Sequence, residues 1–451
     1  MRWLLKGGRL IVPSRGIDEA RDLLIEDGVI RSLSFGDDAS GASTLDLSGL
    51  VVAPGFIDIH THLREPGFEH KETIATGVQS AAAGGFTTIC CMPNTNPAID
   101  NGPLVEFVRR RAEEAGPVRV LPMGSVTRGM GQDEMADLGE MAEAGASAFT
   151  DDAFPIQSSR MMRLAMRYAT TFDLPVVTHC EDKSLTIGAS MNEGYVSAAI
   201  GIRAMPRTAE EIHVARNILL AEETGCRLHI AHISTRRSVE MVRRARAHGI
   251  RVTAEACPHH FSLTDSAVAG EDAEHPGRAY DTNTKMNPPL RTPDDVAAVV
   301  EGLQDGTISC IATDHAPHSI EEKGVEFDLA PFGIIGFETA LAVSLTYLVR
   351  PGWISLPDLV KLMTSGAAGV LASPNFPMGT GELSEGGRAD VTIFDPAAEW
   401  IVEPSRLLSK SKNTPYGGHR LFGRVRHVFA GGRLIVRDGH PNGAEARGEK
   451  G

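Results

Sequence analysis

His60 and His62 stand two apart in the octet Ile57-Asp58-Ile59-His60-Thr61-His62-Leu63-Arg64, behind the apolar run Val51-Val52-Ala53-Pro54-Gly55-Phe56. In a strand, residues i and i+2 project from one face. Two neutral imidazoles at such a strand end can grip one divalent metal. An isolated His-x-His serves equally well as two satisfied surface histidines. Four later segments add donors at the ends of short apolar runs: Phe149-Thr150-Asp151-Asp152, Val177-Thr178-His179-Cys180-Glu181, Ile230-Ala231-His232-Ile233-Ser234 and Ile311-Ala312-Thr313-Asp314-His315-Ala316-Pro317-His318. Nitrogen and oxygen donors without thiolate suit zinc, and also manganese, cobalt or iron. Six side chains exceed what one tetrahedral ion with an open position needs. They suit two ions that share a hydroxide, lower its pKa and polarise a carbonyl. Asp314, free to hold and release a proton, is the natural general base and acid.

Eight short, β-branched runs are the elements that would position these donors: 51–59, 86–91, 118–123, 146–150, 175–180, 227–232, 250–256 and 308–314. Amphipathic stretches of helical period separate most of them. Examples are 101–115 (Leu104, Phe107, Val108, Ala112), 158–173 (Met161, Leu164, Ala165, Tyr168) and 207–225 (Ile212, Ala215, Ile218, Leu219), several closing at a glycine such as Gly84, Gly116, Gly225 or Gly249. Eight strand-then-helix units predict a closed parallel (β/α)8 barrel of the TIM type, an α/β fold whose chemistry sits at the C-terminal strand ends. A doubly wound sheet shares the pattern through about six strands. Both ends of the chain instead read as β-hairpins, and neither is long enough for a core of its own. The division predicted is residues 53–387 for the barrel, with 1–52 and 388–451 pairing into one small β-sandwich. The last dozen residues, polar and Gly-rich, read as a frayed end.

A chain of 451 residues with 42% hydrophobic and 23% charged content is ordinary for a globular protein. Its formal charge of −14 argues against nucleic acid and anionic membranes, and leaves room for a local basic pocket for a small anion. No apolar run reaches the roughly 18 residues that span a bilayer. The N-terminus lacks a signal peptide's apolar segment. Six cysteines without Cys-x-x-Cys spacing fit buried reduced thiols in a cytoplasmic protein.

In this order the motifs are specific. Pro54-Gly55-Phe56-Ile57-Asp58-Ile59-His60-Thr61-His62-Leu63-Arg64-Glu65-Pro66-Gly67, Met92-Pro93-Asn94-Thr95, Thr150-Asp151-Asp152, His179-Cys180-Glu181-Asp182, His232-Ile233-Ser234, Lys285-Met286-Asn287-Pro288-Pro289-Leu290-Arg291, Thr313 to His318 and Ser409 to Tyr416 together resemble the longer bacterial (class I) dihydroorotases. These are cyclic amidohydrolases of the amidohydrolase superfamily. The likeness covers nearly the whole chain. It implies reversible hydrolysis of L-dihydroorotate to N-carbamoyl-L-aspartate by metal-bound hydroxide, the third step of de novo pyrimidine synthesis.

The resemblance also implies roles. His60, His62 and Asp314 would hold one zinc, His179 and His232 a second, and Asp152 would bridge them. Arg64 would offer its planar fork to the substrate carboxylate, with Asn94 and His318 completing that subsite and His62 beside it. Asn287 would meet the ring amide, and the backbone at Phe332-Gly333 the pyrimidine ring. A surface ion pair of Arg64 with Glu65 or Glu69, and a plain linker at 324–336, are the structural alternatives.

Hydantoinases and allantoinases bridge their metals with a carbamylated lysine, and residues 146–152 contain none. Asp151 competes with Asp152, and the 27-residue step to His179 fits the family pattern for Asp152. Ala153 stands where the family often has glycine, and 267–284 reads as an acidic insertion near Asn287. Two rival readings remain: an allantoinase or other cyclic-amide hydrolase, and a non-catalytic dihydroorotase-like partner of aspartate carbamoyltransferase, a kind that typically has lost metal ligands. A homodimer and association with aspartate carbamoyltransferase come with the resemblance as expectations on which the residues are silent.

Overall fold

A computed structural model describes residues 1–34, 39–271 and 277–441. Most of the expected frayed end, and residues 272–276 of the expected insertion, lie outside this set. The flanks of that insertion pair with each other, Gly277 N–H with Gly270 O at 3.2 Å and Tyr280 N–H with Val268 O at 2.9 Å.

Eight parallel segments form a closed ring. The first three barrel strands, Phe56–Thr61, Phe86–Cys91 and Arg119–Pro122, pair in order. The fourth is reduced to Phe149, which bridges Gly124 on one side and Val176 on the other. The fifth to eighth, Val176–Thr178, Leu228–Ile230, Val252–Ala256 and Cys310–Ile311, follow in sequence. A bridge between Thr61 and His315 returns the ring to its start. Alternation along the strands separates two cores. Ile57, Ile59, Cys90, Met92, Met123, Ala148, Val177, Ala231, Cys310 and Ala312 fill the barrel, with Ala367, Val370, Leu371 and Phe376 packed against them. Phe56, Ile89, Val120, Phe149, Val176, Leu228, Val252 and Ile311 face the helices.

The helices form where hydroxyl and amide side chains cap them. Asn101 accepts from Leu104 N–H at the head of Gly102–Ala115, and Ser158 from Met161 N–H at the head of Ser159–Ala169. Two buried faces differ from the sequence expectation. Ser159–Ala169 buries Met162, Ala165 and Met166, leaving Leu164 41% and Tyr168 37% exposed. Thr208–Thr224 buries Glu210, His213, Val214, Asn217 and Ile218, leaving Ile212 46% and Leu219 65% exposed. Apolar period misses an inner face built partly from bonded polar groups: Glu210 accepts from Ser234 and Thr235 N–H and pairs with Arg291 at 3.5 Å.

Both chain ends build one nine-stranded sheet. They meet at Val51–Pro54, which runs parallel to Arg2–Val12 and antiparallel to Val391–Ile401. The sheet has its own core of Trp3, Leu5, Leu10, Leu23, Ile25, Ile393 and Phe429, with the Trp3 and Phe429 rings edge-on at 5.6 Å. The single run expected at 51–59 is therefore two strands. Gly55 separates them, and its N–H donates to Asp390 O at 2.9 Å. All six cysteines are buried and unpaired. Among the described residues no helix is long and apolar enough to cross a membrane.

A Cβ on Gly55 would lie 2.1 Å from Thr87 Oγ1, whereas one on Gly369, inside Ser365–Leu371, meets nothing within 4 Å. Gly55→Ala should destabilise by about 1–3 kcal/mol through overpacking, and Gly369→Ala should be neutral or stabilise by up to about 1 kcal/mol. Thermal unfolding midpoints of the two variants should fall on opposite sides of the parent, or at least in that order.

Candidate metal centre

The strand ends bring the six predicted donors together. Among the described residues, His60/His62/Asp152, His60/His232/Asp314 and Asp152/His179/His232 each form a buried group whose donor atoms lie within 4.8 Å of one another. His60 Nε2 is 3.4 Å from Asp152 Oδ1 and 3.5 Å from Asp314 Oδ1. His62 Nε2 is 2.9 Å from Asp314 Oδ1 and 3.6 Å from Asp152 Oδ2. His179 Nδ1 is 3.0 Å from His232 Nε2, which is 3.8 Å from Asp152 Oδ1. Asp152 thus belongs to both halves of the cluster.

The other ring nitrogens of His60, His62 and His179 are occupied in the way metal-ligating histidines usually are, while His232 Nδ1 is buried without a hydrogen-bond partner among the described residues. His60 Nδ1 meets Glu255 Oε1 at 2.5 Å, His62 Nδ1 meets Asn94 Oδ1 at 2.9 Å, and His179 Nε2 meets Glu181 Oε2 at 3.0 Å. These partners only accept, so the facing nitrogens carry the protons. Nε2 of His60, Nε2 of His62 and Nδ1 of His179 are the nitrogens turned towards the cluster, where that of His62 meets Asp314 Oδ1 and that of His179 meets His232 Nε2. His60 Nε2 and Asp152 Oδ1 are buried with no hydrogen-bond partner among the described residues. Orphaned donor atoms of N and O type at these spacings fit divalent cations.

Charge agrees with geometry. Burial alone would lower the His60 pKa, but the carboxylates of Asp152, Glu255 and Asp314 outweigh it and hold the imidazole well above its ordinary value. Burial raises Asp152 and Asp314, yet the surrounding imidazoles hold both below the carboxylate range. Asp151 points elsewhere. Its Oδ1 accepts from Val126 N–H at 2.7 Å and Thr127 N–H at 3.0 Å, and its Oδ2 from the Thr127 hydroxyl. Asp151 therefore anchors the 126–127 loop rather than joining the cluster.

A cavity of about 500 Å³ opens over the cluster, and His62, Arg64, Asn94, Asn287, His318, Phe332 and Gly333 line it together with Asp152, His179, His232 and Asp314. Arg64 is buried, and no carboxylate lies in ion-pair contact with it among the described residues. Glu65 pairs instead with Arg111 at 2.8 Å, and Glu69 accepts from Gly67 N–H. Arg64 Nε–H donates to Pro317 O at 3.1 Å. Burial pulls the guanidinium down to about 10, so it stays charged at neutral pH. Asn287 Nδ2 donates to Glu181 Oε2 at 2.9 Å, and His318 Nε2 meets Phe332 O at 2.8 Å.

The 324–336 segment is fastened to this wall. Lys323 Nζ donates to Thr282 O at 2.9 Å and Pro331 O at 2.8 Å, and Lys285 Nζ to Phe327 O at 2.9 Å and Asp328 O at 3.0 Å. Gly333 N–H donates to Lys285 O at 3.0 Å.

Two carboxylates that orient the cluster escaped the sequence reading. Glu255 also receives His229 Nε2 at 3.0 Å, and Glu181 receives Lys183 Nζ at 2.7 Å. The signal for Glu255 was a charge inside the apolar run 250–256. Glu181 sat in plain view beside His179.

The sequence comparisons agree on one family. The dihydro-orotase-like family profile matches residues 49–238. A dihydroorotase of Pelotomaculum thermopropionicum is 50% identical over 97% of this chain and 99% of its own. One of Syntrophotalea carbinolica is 48% identical over 97% and 99%. Among solved structures, the L-hydantoinase (dihydropyrimidinase) of Arthrobacter aurescens superposes with a TM-score of 0.85 at 25% identity, over 97% of each chain. The dihydropyrimidinase of Brevibacillus agri gives 0.83 at 21% identity, over 98% of this chain and 96% of that one. These structures share the barrel fold.

Removing the charge behind His60 tests the centre. Glu255→Gln should weaken metal retention about 10–100-fold in chelator competition. Unchanged retention would show that His60 does not bind metal through its free nitrogen.

Proposed function

The chain belongs to the dihydroorotase family, and we infer from its site that it catalyses the reversible hydrolysis of L-dihydroorotate to N-carbamoyl-L-aspartate. In the cell the useful direction is ring closure, within pyrimidine synthesis. The observation that carries this reading is the shared cavity: a cluster of six metal-type donors beside a buried guanidinium with no carboxylate partner. A buried unpaired cation is costly unless an anion completes it, and both substrate and product carry a carboxylate.

His60, His62 and Asp314 would hold one cation and His179 and His232 the other, with Asp152 between them. Zinc ions there would acidify a water and polarise the ring carbonyl. The chain's own groups do the rest. Arg64 receives the substrate carboxylate through the N–H groups not taken up by Pro317 O and His318 Nε2, and Asn94 and His318 flank that position. Asn287, held by Glu181, turns towards the ring amide. Phe332 and Gly333 close over the ring from the segment pinned by Lys285 and Lys323. Asp314, kept ionised by His60 and His62, takes the proton of the attacking water and passes it to the ring nitrogen as the C–N bond breaks. Ring closure runs the same transfers backwards. The same reading carries a cytoplasmic location, a homodimer and association with aspartate carbamoyltransferase, with the barrel beginning after Gly55 rather than at 53 and running to 387, and the terminal sheet as its flank.

Metal-replete protein should close the ring of N-carbamoyl-L-aspartate, and Asp314→Ala should lose at least about 10³-fold in kcat. Arg64→Ala should act mainly on KM for both carboxylate substrates. Turnover of allantoin or hydantoin without turnover of N-carbamoyl-L-aspartate would contradict the assignment.

A further inference from the structure

Cys257, His259 and His260 form a second donor group just beyond the seventh barrel strand. Residues Pro258–Ser262 make one short helical turn. All three side chains are buried, and one donor atom from each lies within 4.8 Å of the others. Donors sharing a tetrahedral zinc lie roughly 3.5 Å apart, since Zn–N is about 2.0 Å and Zn–S about 2.3 Å. Separations of up to 4.8 Å therefore need to close by no more than about 1.3 Å to reach that geometry.

Two ring nitrogens supply the independent sign of a ligand. His260 Nε2 lies 3.0 Å from Pro288 O. A carbonyl only accepts, so Nε2 carries the proton and Nδ1 holds a lone pair. That Nδ1 is buried with no hydrogen-bond partner among the described residues, and His259 Nε2 is in the same state. Buried ring nitrogens without a partner are uncommon. An imidazole whose far nitrogen is fixed by a carbonyl is the usual form of a metal ligand. The other thiol-bearing group, His229/Glu255/Cys310, shows no such orphan. His229 Nδ1 meets Thr253 Oγ1 and its Nε2 meets Glu255, whose second oxygen meets His60.

We propose that Cys257 Sγ, His259 and His260 bind a further divalent cation of the zinc and cobalt class, separate from the six-donor cluster. On binding, the Cys257 S–H bond gives way to a sulfur–metal bond and the proton leaves to solvent, with no change of oxidation state. The ion sits two residues past Glu255. Through His260 and Pro288 it reaches the residue after Asn287, so it braces the wall of the cavity from behind.

The test is cobalt(II) substitution of the full-length protein. The six-donor cluster contains no thiolate, so thiolate-to-cobalt charge-transfer absorption in the near ultraviolet reports a cysteine-bound ion. The parent should show that band. Cys257→Ser should lose it together with one ion per chain, and Cys310→Ser should keep both. Absence of the band in the folded, cobalt-loaded parent would overturn the proposal without any variant having to fold. So would a band that survives in Cys257→Ser.

Discussion

Asp58 is wholly buried and accepts three hydrogen bonds: from His60 N–H at 3.1 Å, Thr313 N–H at 3.1 Å and the Thr313 hydroxyl at 2.5 Å. Burial drives its carboxyl up to about 7, and the bonds from Thr313 and His60 pull against that. One carboxylate thereby joins the first strand to the eighth, where the ring closes. The two strand ends so joined carry His60 and His62 on one side and Asp314 on the other. The remaining donors reach the same point because the parallel strands between them bring their C-terminal ends to one rim. The centre follows from closure, and closure leans on Asp58.

A second constraint is charge. Asp152, Asp314 and Glu255 lie within a few ångströms of one another's partners in a buried space, and carboxylates there need positive charge nearby. His60 is drawn towards its protonated form for this reason. Divalent cations would meet the same need while leaving the imidazoles neutral, the form in which they coordinate. The backbone is strained at the same place. Arg64, Ala153, His232 and Asp314 all have positive φ, at 64°, 64°, 30° and 48°. Such conformations cost of order 1–3 kcal/mol each and gather at functional sites. Ala153 explains its own oddity: the position calls for the left-handed region that glycine enters without penalty.

The sequence showed most of this, and its failures have physical causes. Strands two and three were legible as apolar runs because a parallel strand is buried on both faces. Residues 51–59 read as one strand because nothing in the apolar run marks Gly55, where the chain leaves the terminal sheet. The fourth strand shrank to Phe149 and the eighth to Cys310–Ile311, since their ends bend into loops that present Asp152 and Asp314. Hydrophobic period turns Ile212 and Leu219 inward because it cannot register Glu210, His213 and Asn217 as residues buried on the inner face of Thr208–Thr224. Donor positions were legible as strand-end histidines and aspartates. Their orienting partners were not, because Glu255 and Asn94 acquire meaning only when distant strands meet.

The central claim is that six side chains from five strand ends hold two cations with Asp152 shared between them. Anomalous diffraction at the zinc edge, on crystals of the zinc-loaded protein, tests it most directly. Two peaks flanking Asp152, one near His60, His62 and Asp314 and one near His179 and His232, are the predicted result. Density that leaves Asp152 uncoordinated, or that places His179 and His232 away from any ion, would contradict the account.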